Sequence, residues 1–383
     1  MRPSLLVVAG EASGDRAAAG VVSVLRETLR LRAVGMGGAA LAATGVSLVC
    51  DLRETTSMGL GAVAGRAGRI ALSASRVMAA SRQPDVRAAL LVNYSEFNAR
   101  LAPFLHARGI HVVWYGAPQI WAWRAERADA LRNSVDRMAV MLPFEEALWR
   151  ERGMDARYVG HPAREGGPLG RAEARALLGL TDLAKTVAIL PGSRPHEVSE
   201  LLLPMLASVD RVRRDRASID ARLLLAPSLD SVTREAARAL AETYGVASYD
   251  VPALRGAAHV LAGFDVAVTA SGTATLEAAL ARAVPVVAYR VGVLTELVAR
   301  ALVRTELFAL PNVLLGRKAF AELLQRDVTD HALASAIARS LDSRDELVRA
   351  CDEVERILGD KVTPSREVAE MLLPWLTPPS TDR

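Results

Sequence analysis

Short apolar runs rich in β-branched residues alternate with longer amphipathic stretches along almost the entire chain, and this alternation limits the fold more than any other feature. Leu5 to Ala9, Ala88 to Val92, Val112 to Tyr115 and Arg137 to Met141 are of strand length and largely apolar. Strands without a polar face need cover on both sides, which a parallel sheet between two helix layers supplies. Segments of helical period lie between them, such as Ala17 to Leu31 with Val22, Leu25 and Leu29 on one face. A second series follows at Thr186 to Leu190, Arg222 to Ala226, Asp265 to Thr269 and Val284 to Tyr289. A chain of 383 residues exceeds the size of one core. The punctuated stretch at 160–172, with His161, Pro162, Gly166, Gly167, Pro168 and Gly170, marks a linker. The expected class is therefore α/β, two doubly wound Rossmann-like domains facing across a cleft. The expected domains are residues 1–165 and 166–344, with a C-terminal helix of about 345–383 a candidate to pack back on the first. Pro374, Pro378 and Pro379 are expected to end it.

Composition removes several function classes. At 51% hydrophobic and 23% charged, the chain is that of a globular protein. Cys50 and Cys351 have no partner spacing, which argues against a zinc ribbon or disulfide framework and suits a reducing compartment. The net charge is +4, yet of 47 basic residues only Lys185, Lys318 and Lys361 are lysine, and no basic run occurs. No nucleic-acid partner is expected. The uncharged stretch from Ala33 to Cys50 is long enough to span a bilayer, but Gly35, Gly37, Gly38 and Gly45 divide it. A strand, a glycine turn, a short helix and a further strand explain it better. No signal peptide or membrane span is expected.

Three strand-to-helix turns carry glycine and small hydroxyl residues. They are Gly10-Glu11-Ala12-Ser13-Gly14-Asp15, Leu190-Pro191-Gly192-Ser193-Arg194, and Ala270-Ser271-Gly272-Thr273 running on to Glu277. Ligands of such sheets bind at the carboxyl ends of the strands, where helix N-termini offer N–H groups and a positive dipole end to phosphate. None of the three fits the dinucleotide or P-loop pattern, and each alone could be a steric necessity. Together, across both halves, they point to a nucleotide. Arg194 can clamp a diphosphate bidentately, and Glu277, one turn into its helix, can accept ribose hydroxyls. The six histidines are scattered and no acidic cluster stands out, so no metal site is expected.

The motifs themselves resemble those of the lipid-A-disaccharide synthase family. Gly10 to Asp15 (GEASGD), Ser57 to Leu60 (SMGL), Ile120 to Arg124 (IWAWR), Leu142 to Glu145 (LPFE) and Val159 to Pro162 (VGHP) occur in the family's order. Leu190 to Arg194 (LPGSR), Ala270 to Glu277 (ASGTATLE), Pro285 to Arg290 (PVVAYR), Leu310 to Asn312 (LPN) and Glu322 to Gln325 (ELLQ) complete the set. The resemblance implies a GT-B type fold with the nucleotide held mainly by the C-terminal half. It implies an inverting transfer from UDP-2,3-diacylglucosamine to 2,3-diacylglucosamine 1-phosphate, giving the β-1,6 disaccharide 1-phosphate and UDP. The UDP-sugar is a substrate, and no cofactor is expected. The implied location is the cytoplasm, peripherally associated with the inner membrane, and a homodimer is compatible.

Carried over by position, Gly192, Ser193 and Arg194 hold phosphate, Ser271, Gly272, Thr273 and Glu277 hold the UDP portion, and Asn312 and Gln325 make further donor contacts. Glu11, Ser13, Gly14 and Asp15 are expected on the substrate side of the first half. The segment from Ser57 to Ile70, with Arg66 and Arg69, could rest on lipid headgroups or be ordinary core, and Trp114, Tyr115, Trp121 and Trp123 pose the same choice. One departure concerns catalysis. Where the family reads I-D-x-P-D-F-N, this chain reads Val92-Asn93-Tyr94-Ser95-Glu96-Phe97-Asn98. Asn93 replaces the aspartate proposed as general base, and an amide has no useful basicity. A second is the absence of an acid near Ala62. Three accounts follow: Glu96 acts as base, Glu11 or Asp15 does so, or the chain is a divergent relative with another acceptor or little activity. The rivals are another GT-B enzyme, such as a sugar-nucleotide 2-epimerase, and a UDP-binding protein without turnover.

Overall fold

The computed structural model describes residues 3–52, 62–122, 127–216, 218–290 and 307–377, with 62–67 and 127 by backbone alone. Ser57 to Leu60, Trp123, Arg124 and the Arg66 side chain lie outside the described residues. The chain forms two units, Met1–Glu165 with Asp360–Arg383, and Gly166–Gly359.

The first unit holds seven strands: β1 (Ser4–Ala9), β2 (Arg32–Gly37), β3 (Ser47–Asp51), β4 (Val86–Val92), β5 (His111–Tyr115), β6 (Arg137–Val140) and β7 (Ala156–Tyr158). Their order is β3-β2-β1-β4-β5-β6-β7, and every pairing is parallel. Because strand side chains alternate faces, Leu5, Val7 and Ala9 pack against the helices Ala12–Thr28 and Pro364–Leu376. Leu6 and Val8 pack on the other side, with Val77, Leu101 and Leu105. The stretch from Ala33 to Cys50 is strand, short helix (Ala39–Ala43) and strand, as its glycines suggest. The first helix begins five residues earlier than periodicity predicts, at Ala12 rather than Ala17. Ser13, Gly14 and Asp15 therefore form a helical turn, not a loop.

The second unit holds β8 (Lys185–Leu190), β9 (Ile219–Leu225), β10 (Ala247–Asp250), β11 (Val266–Ala270), β12 (Val284–Tyr289) and β13 (Ala321–Leu324). The order is β10-β9-β8-β11-β12-β13, again all parallel. Asp265, just before β11, locks this sheet: its Oδ2 accepts the Thr186 N–H at 2.9 Å, and its Oδ1 pairs with Arg171 at 2.8 Å and Arg344 at 3.1 Å.

The tail divides differently from the expectation of one helix returning from about residue 345. Arg344–Ile357 stays in the second unit, and only Pro364–Leu376 returns to the first. Glu165 receives it, accepting the Ser365 N–H at 2.8 Å and the Ser365 hydroxyl at 2.6 Å. At its far end Trp375 stacks on His111 at 4.6 Å, and the Arg137 guanidinium lies 4.4 Å from the centre of the same indole ring. Pro374 sits in the last turn, and the helix runs on to Leu376 before it stops.

Candidate active site

In each unit the strand order reverses once, between β1 and β4 and between β8 and β11. Ligands of such sheets bind outside the carboxyl ends of the strands at these points. The turns singled out in the sequence leave these strands.

At the first reversal the chain leaves β1 through Gly10-Glu11 and β4 through Asn93-Tyr94. Asn93 and Tyr94 both lie in the left-handed region, at φ 50° and 45°, where a side chain costs roughly 1–2 kcal/mol per residue. Two hydrogen bonds hold them there. Asn93 N–H donates to the Tyr115 carbonyl at 2.9 Å, and Asn98 Nδ2 donates to the Asn93 carbonyl at 2.8 Å. The turn lays the Tyr94 ring on Gly10, where a Cβ would lie 2.2 Å from it. It also sets the Asn93 amide between Gly14 and Gly116, with Oδ1 only 2.0 Å from where a Gly116 Cβ would stand. Glycine at these places admits side chains from β4, a use separate from phosphate binding.

Glu11 is half-buried at the N-cap of the first helix, and Glu96 is exposed in the first turn of the helix Ser95–His106. Topology thus gathers Glu11, Asn93 and Glu96 at one strand-end crevice. Asp15 does not join them. Its buried carboxylate accepts the N–H groups of Gly38 at 2.6 Å, Ala40 at 2.9 Å and Leu41 at 3.3 Å. Burial pushes its pKa up, against these bonds, which pull it down. The expectation of Asp15 as base or substrate contact is corrected on this ground: both oxygens are engaged in closing the turn after β2.

At the second reversal, Gly272 opens the helix Thr273–Leu280 with φ 143° and nothing within 4 Å of a Cβ position. Among the described residues, no acceptor meets the N–H groups of Gly272, Thr273 or Ala274. Glu277 is buried one turn further on. Gln325 leaves β13 at φ 51°, and its carbonyl accepts from Arg290 Nε at 3.3 Å. Arg290 also binds the carbonyls of Glu200 and Val328, so this motif arginine clamps the sheet edge.

The turn after β8 departs from expectation. Glu197 folds back beneath it and accepts the N–H groups of Ser193 at 2.8 Å and Arg194 at 3.2 Å. The same carboxylate pairs with Arg194 Nη1 at 2.9 Å. The amides expected to face phosphate thus already have an acceptor. Asn312 is a further correction. It is fully buried, donating to Phe320 O and Glu322 Oε1 at 2.9 Å each. Its Oδ1 accepts from the N–H groups of Ala319 at 3.0 Å and Phe320 at 2.9 Å. No capacity is left for a donor contact.

Comparison with known proteins agrees with this architecture. The family model for Lipid-A-disaccharide synthetase matches residues 5–372. The chain belongs to the lipid-A-disaccharide synthase family. The lipid-A-disaccharide synthase of Myxococcus xanthus (strain DK1622) is 41% identical over 384 residues, spanning 98% of each chain. That of Pseudomonas aeruginosa (strain UCBPP-PA14) is 35% identical over 373 residues, spanning 96% of each. Among solved structures, the calicheamicin glycosyltransferase CalG4 superposes with a TM-score of 0.60 at 13% identity, covering 98% of both chains. The UDP-GlcNAc 2-epimerase of Neisseria meningitidis bound to UDP-GlcNAc gives 0.55 at 11% identity, covering 97% of this chain and 100% of that one. The fold is of the GT-B type.

Two other buried groups lie within the family motifs. Glu145, from LPFE, accepts the Trp121 indole N–H, from IWAWR, at 3.1 Å and the Leu142 N–H at 3.1 Å. Burial pushes its carboxyl up to about 7. His161, from VGHP, is pushed down to about 3 by burial and by Arg16, and its Nδ1 accepts the Ala163 N–H at 3.0 Å. Glu145, Glu197 and Glu322 were not among the sequence candidates. Glu197 carries a legible signal, an acid three residues after a helix N-cap; Glu322 carries none, since its partners come from a separate stretch of chain.

Proposed function

We propose that this enzyme transfers diacylglucosamine from UDP-2,3-diacylglucosamine to the 6-hydroxyl of 2,3-diacylglucosamine 1-phosphate. The acceptor oxygen attacks the anomeric carbon from the face opposite UDP, the carbon–oxygen bond to UDP breaks, and UDP departs with the electron pair. Inversion gives the β-1,6 linkage. The observation that carries this is the open helix N-terminus at Gly272-Thr273, with Glu277 buried behind it and the Arg194 turn across the strand reversal. Free N–H groups and a helix dipole stabilise the departing diphosphate. Ser271, Gly272, Thr273, Glu277 and Gln325 hold the donor in this reading, and Arg194 meets its phosphates. Glu11, Ser13 and Gly14 line the acceptor side. Glu96 takes the acceptor's proton, since Asn93 cannot and Asp15 is engaged elsewhere. No cofactor enters the reaction.

Acylated substrates place the work at the cytoplasmic face of the inner membrane, with the protein bound peripherally. No helix among the described residues is long and apolar enough to cross a membrane. The amide at position 93 also favours a second reading, a divergent homologue that binds UDP but turns over weakly or uses another acceptor.

Acceptor-dependent UDP release, measured beside UDP titration calorimetry, decides between them. Wild type should release UDP only with diacylglucosamine 1-phosphate present, and Glu96→Ala should lose about 10²–10⁴ in kcat with UDP affinity kept. Full rate in Glu96→Ala removes Glu96 as base. Normal UDP binding with no disaccharide formed establishes the divergent reading.

A further inference from the structure

The turn assigned to the donor's phosphate already holds an anion of the chain's own. Glu197 Oε2 accepts two backbone N–H groups of the Gly192-Ser193-Arg194 turn while Oε1 pairs with the Arg194 guanidinium. These are the donors a phosphate oxygen would seek: adjacent amides at a helix start and an arginine fork. Gly192, at φ 124°, makes room for this carboxylate, because a Cβ would stand 2.3 Å from Oε2. Tyr289 lies within electrostatic reach of the pair. It ends β12 on the carboxyl edge of the sheet, and its phenol is pushed up by burial first, then by the Glu197 charge, with Arg194 opposing.

We propose that Glu197 is the resident counter-anion of the donor site, holding the place of a nucleotide phosphate and yielding Arg194 and the turn's N–H groups when the diphosphate enters. This rests on the UDP-donor reading above. A carboxylate and a phosphate cannot share one set of donors at contact distance, because like charges repel strongly when partly desolvated. Entry of UDP therefore turns the Glu197 side chain out, and its return competes with UDP for Arg194 and speeds product departure. Glu197 is thus a positioning residue that limits nucleotide affinity in favour of release.

Glu197→Gln separates this role from simple capping, since glutamine serves equally at this place in a capping box and carries no charge. UDP titration calorimetry should show binding about three- to fivefold tighter than wild type, the size of a half-exposed ion pair. Donor KM and kcat should both fall, leaving kcat/KM within about twofold. In an Arg194→Ala background the same change should shift UDP affinity by less than in wild type, because the competition for the guanidinium is gone and only that for the two backbone N–H groups remains. Glu197→Ala, which removes cap and charge together, should shift UDP affinity in the same direction and guards against a folding defect in one variant. Unchanged or weaker UDP binding in both variants overturns the proposal and leaves Glu197 as a cap that aims Arg194. Wild type failing to bind UDP at all removes the donor reading itself, and the proposal with it.

Discussion

Asn312→Ala is expected to cost the second unit about 3–5 kcal/mol, the penalty for stripping partners from a buried polar network. Four hydrogen bonds disappear at once, and Glu322 loses a buried donor while retaining those of Phe308 and Ala309. For a unit of this size the melting temperature should drop on the order of 10 °C. The molecules still folded should bind UDP with wild-type affinity in titration calorimetry. A variant that melts normally but binds UDP poorly would return Asn312 to the donor site and overturn its assignment as a structural anchor.

Glu145→Gln should reverse the sign of its effect with pH. The folded protein raises this carboxyl from 4.5 to about 7, so the folded state binds the proton more tightly than the unfolded chain. Stability from this group is present below about pH 4.5 and is lost as pH rises through about 7, a penalty of up to about 3 kcal/mol. Glutamine carries no charge but offers one acceptor oxygen to the two N–H groups of Trp121 and Leu142, a loss of about 1 kcal/mol. The variant should therefore be slightly less stable than wild type at pH 4.5 and about 2 kcal/mol more stable at pH 8. His161 works the other way, since its depressed pKa costs stability as pH falls below about 6.5. It is common to both proteins and cancels in the difference. Denaturant titrations at the two pH values read this directly, and a pH-independent difference would mean Glu145 ionises like an exposed carboxylate.

These two residues illustrate how far the sequence reaches. Strand positions were legible because the central strands are mostly apolar on both faces, and β1 with its alternating faces, Leu5, Val7 and Ala9 against Leu6 and Val8, shows why. The three glycine turns at strand ends were legible because glycine and hydroxyl residues follow strands. What a polar side chain in those motifs touches was not legible. Asp15 and Asn312 sit in glycine- and proline-marked motifs, yet Asp15 binds backbone groups 23 to 26 residues away, and Asn312 binds backbone groups seven or eight residues away and the Glu322 carboxylate ten away. Nothing local distinguishes an acid that faces a substrate from one that faces a neighbouring turn. The start of the first helix was missed for a related reason: Ser13 and Gly14 are weaker helix formers than alanine, and the turn is fixed by packing against β4 and by Asp15 reaching the next crossover.

The return of Pro364–Leu376 to the first unit has a consequence for how the chain comes to be folded during synthesis. The second unit, Gly166–Gly359, is an uninterrupted stretch whose core can close as soon as it leaves the ribosome. The first unit is made earlier but finishes later, because one face of its sheet waits for Val368, Ala369, Leu372 and Leu376. Until residues 364–376 are made, the part of that apolar face not covered by the helix Ala12–Thr28 is bare. The unit translated first is thus the one most exposed to aggregation and to chaperones, and a nonsense codon between residues 360 and 363 would leave that part of its sheet permanently uncovered while sparing the second unit.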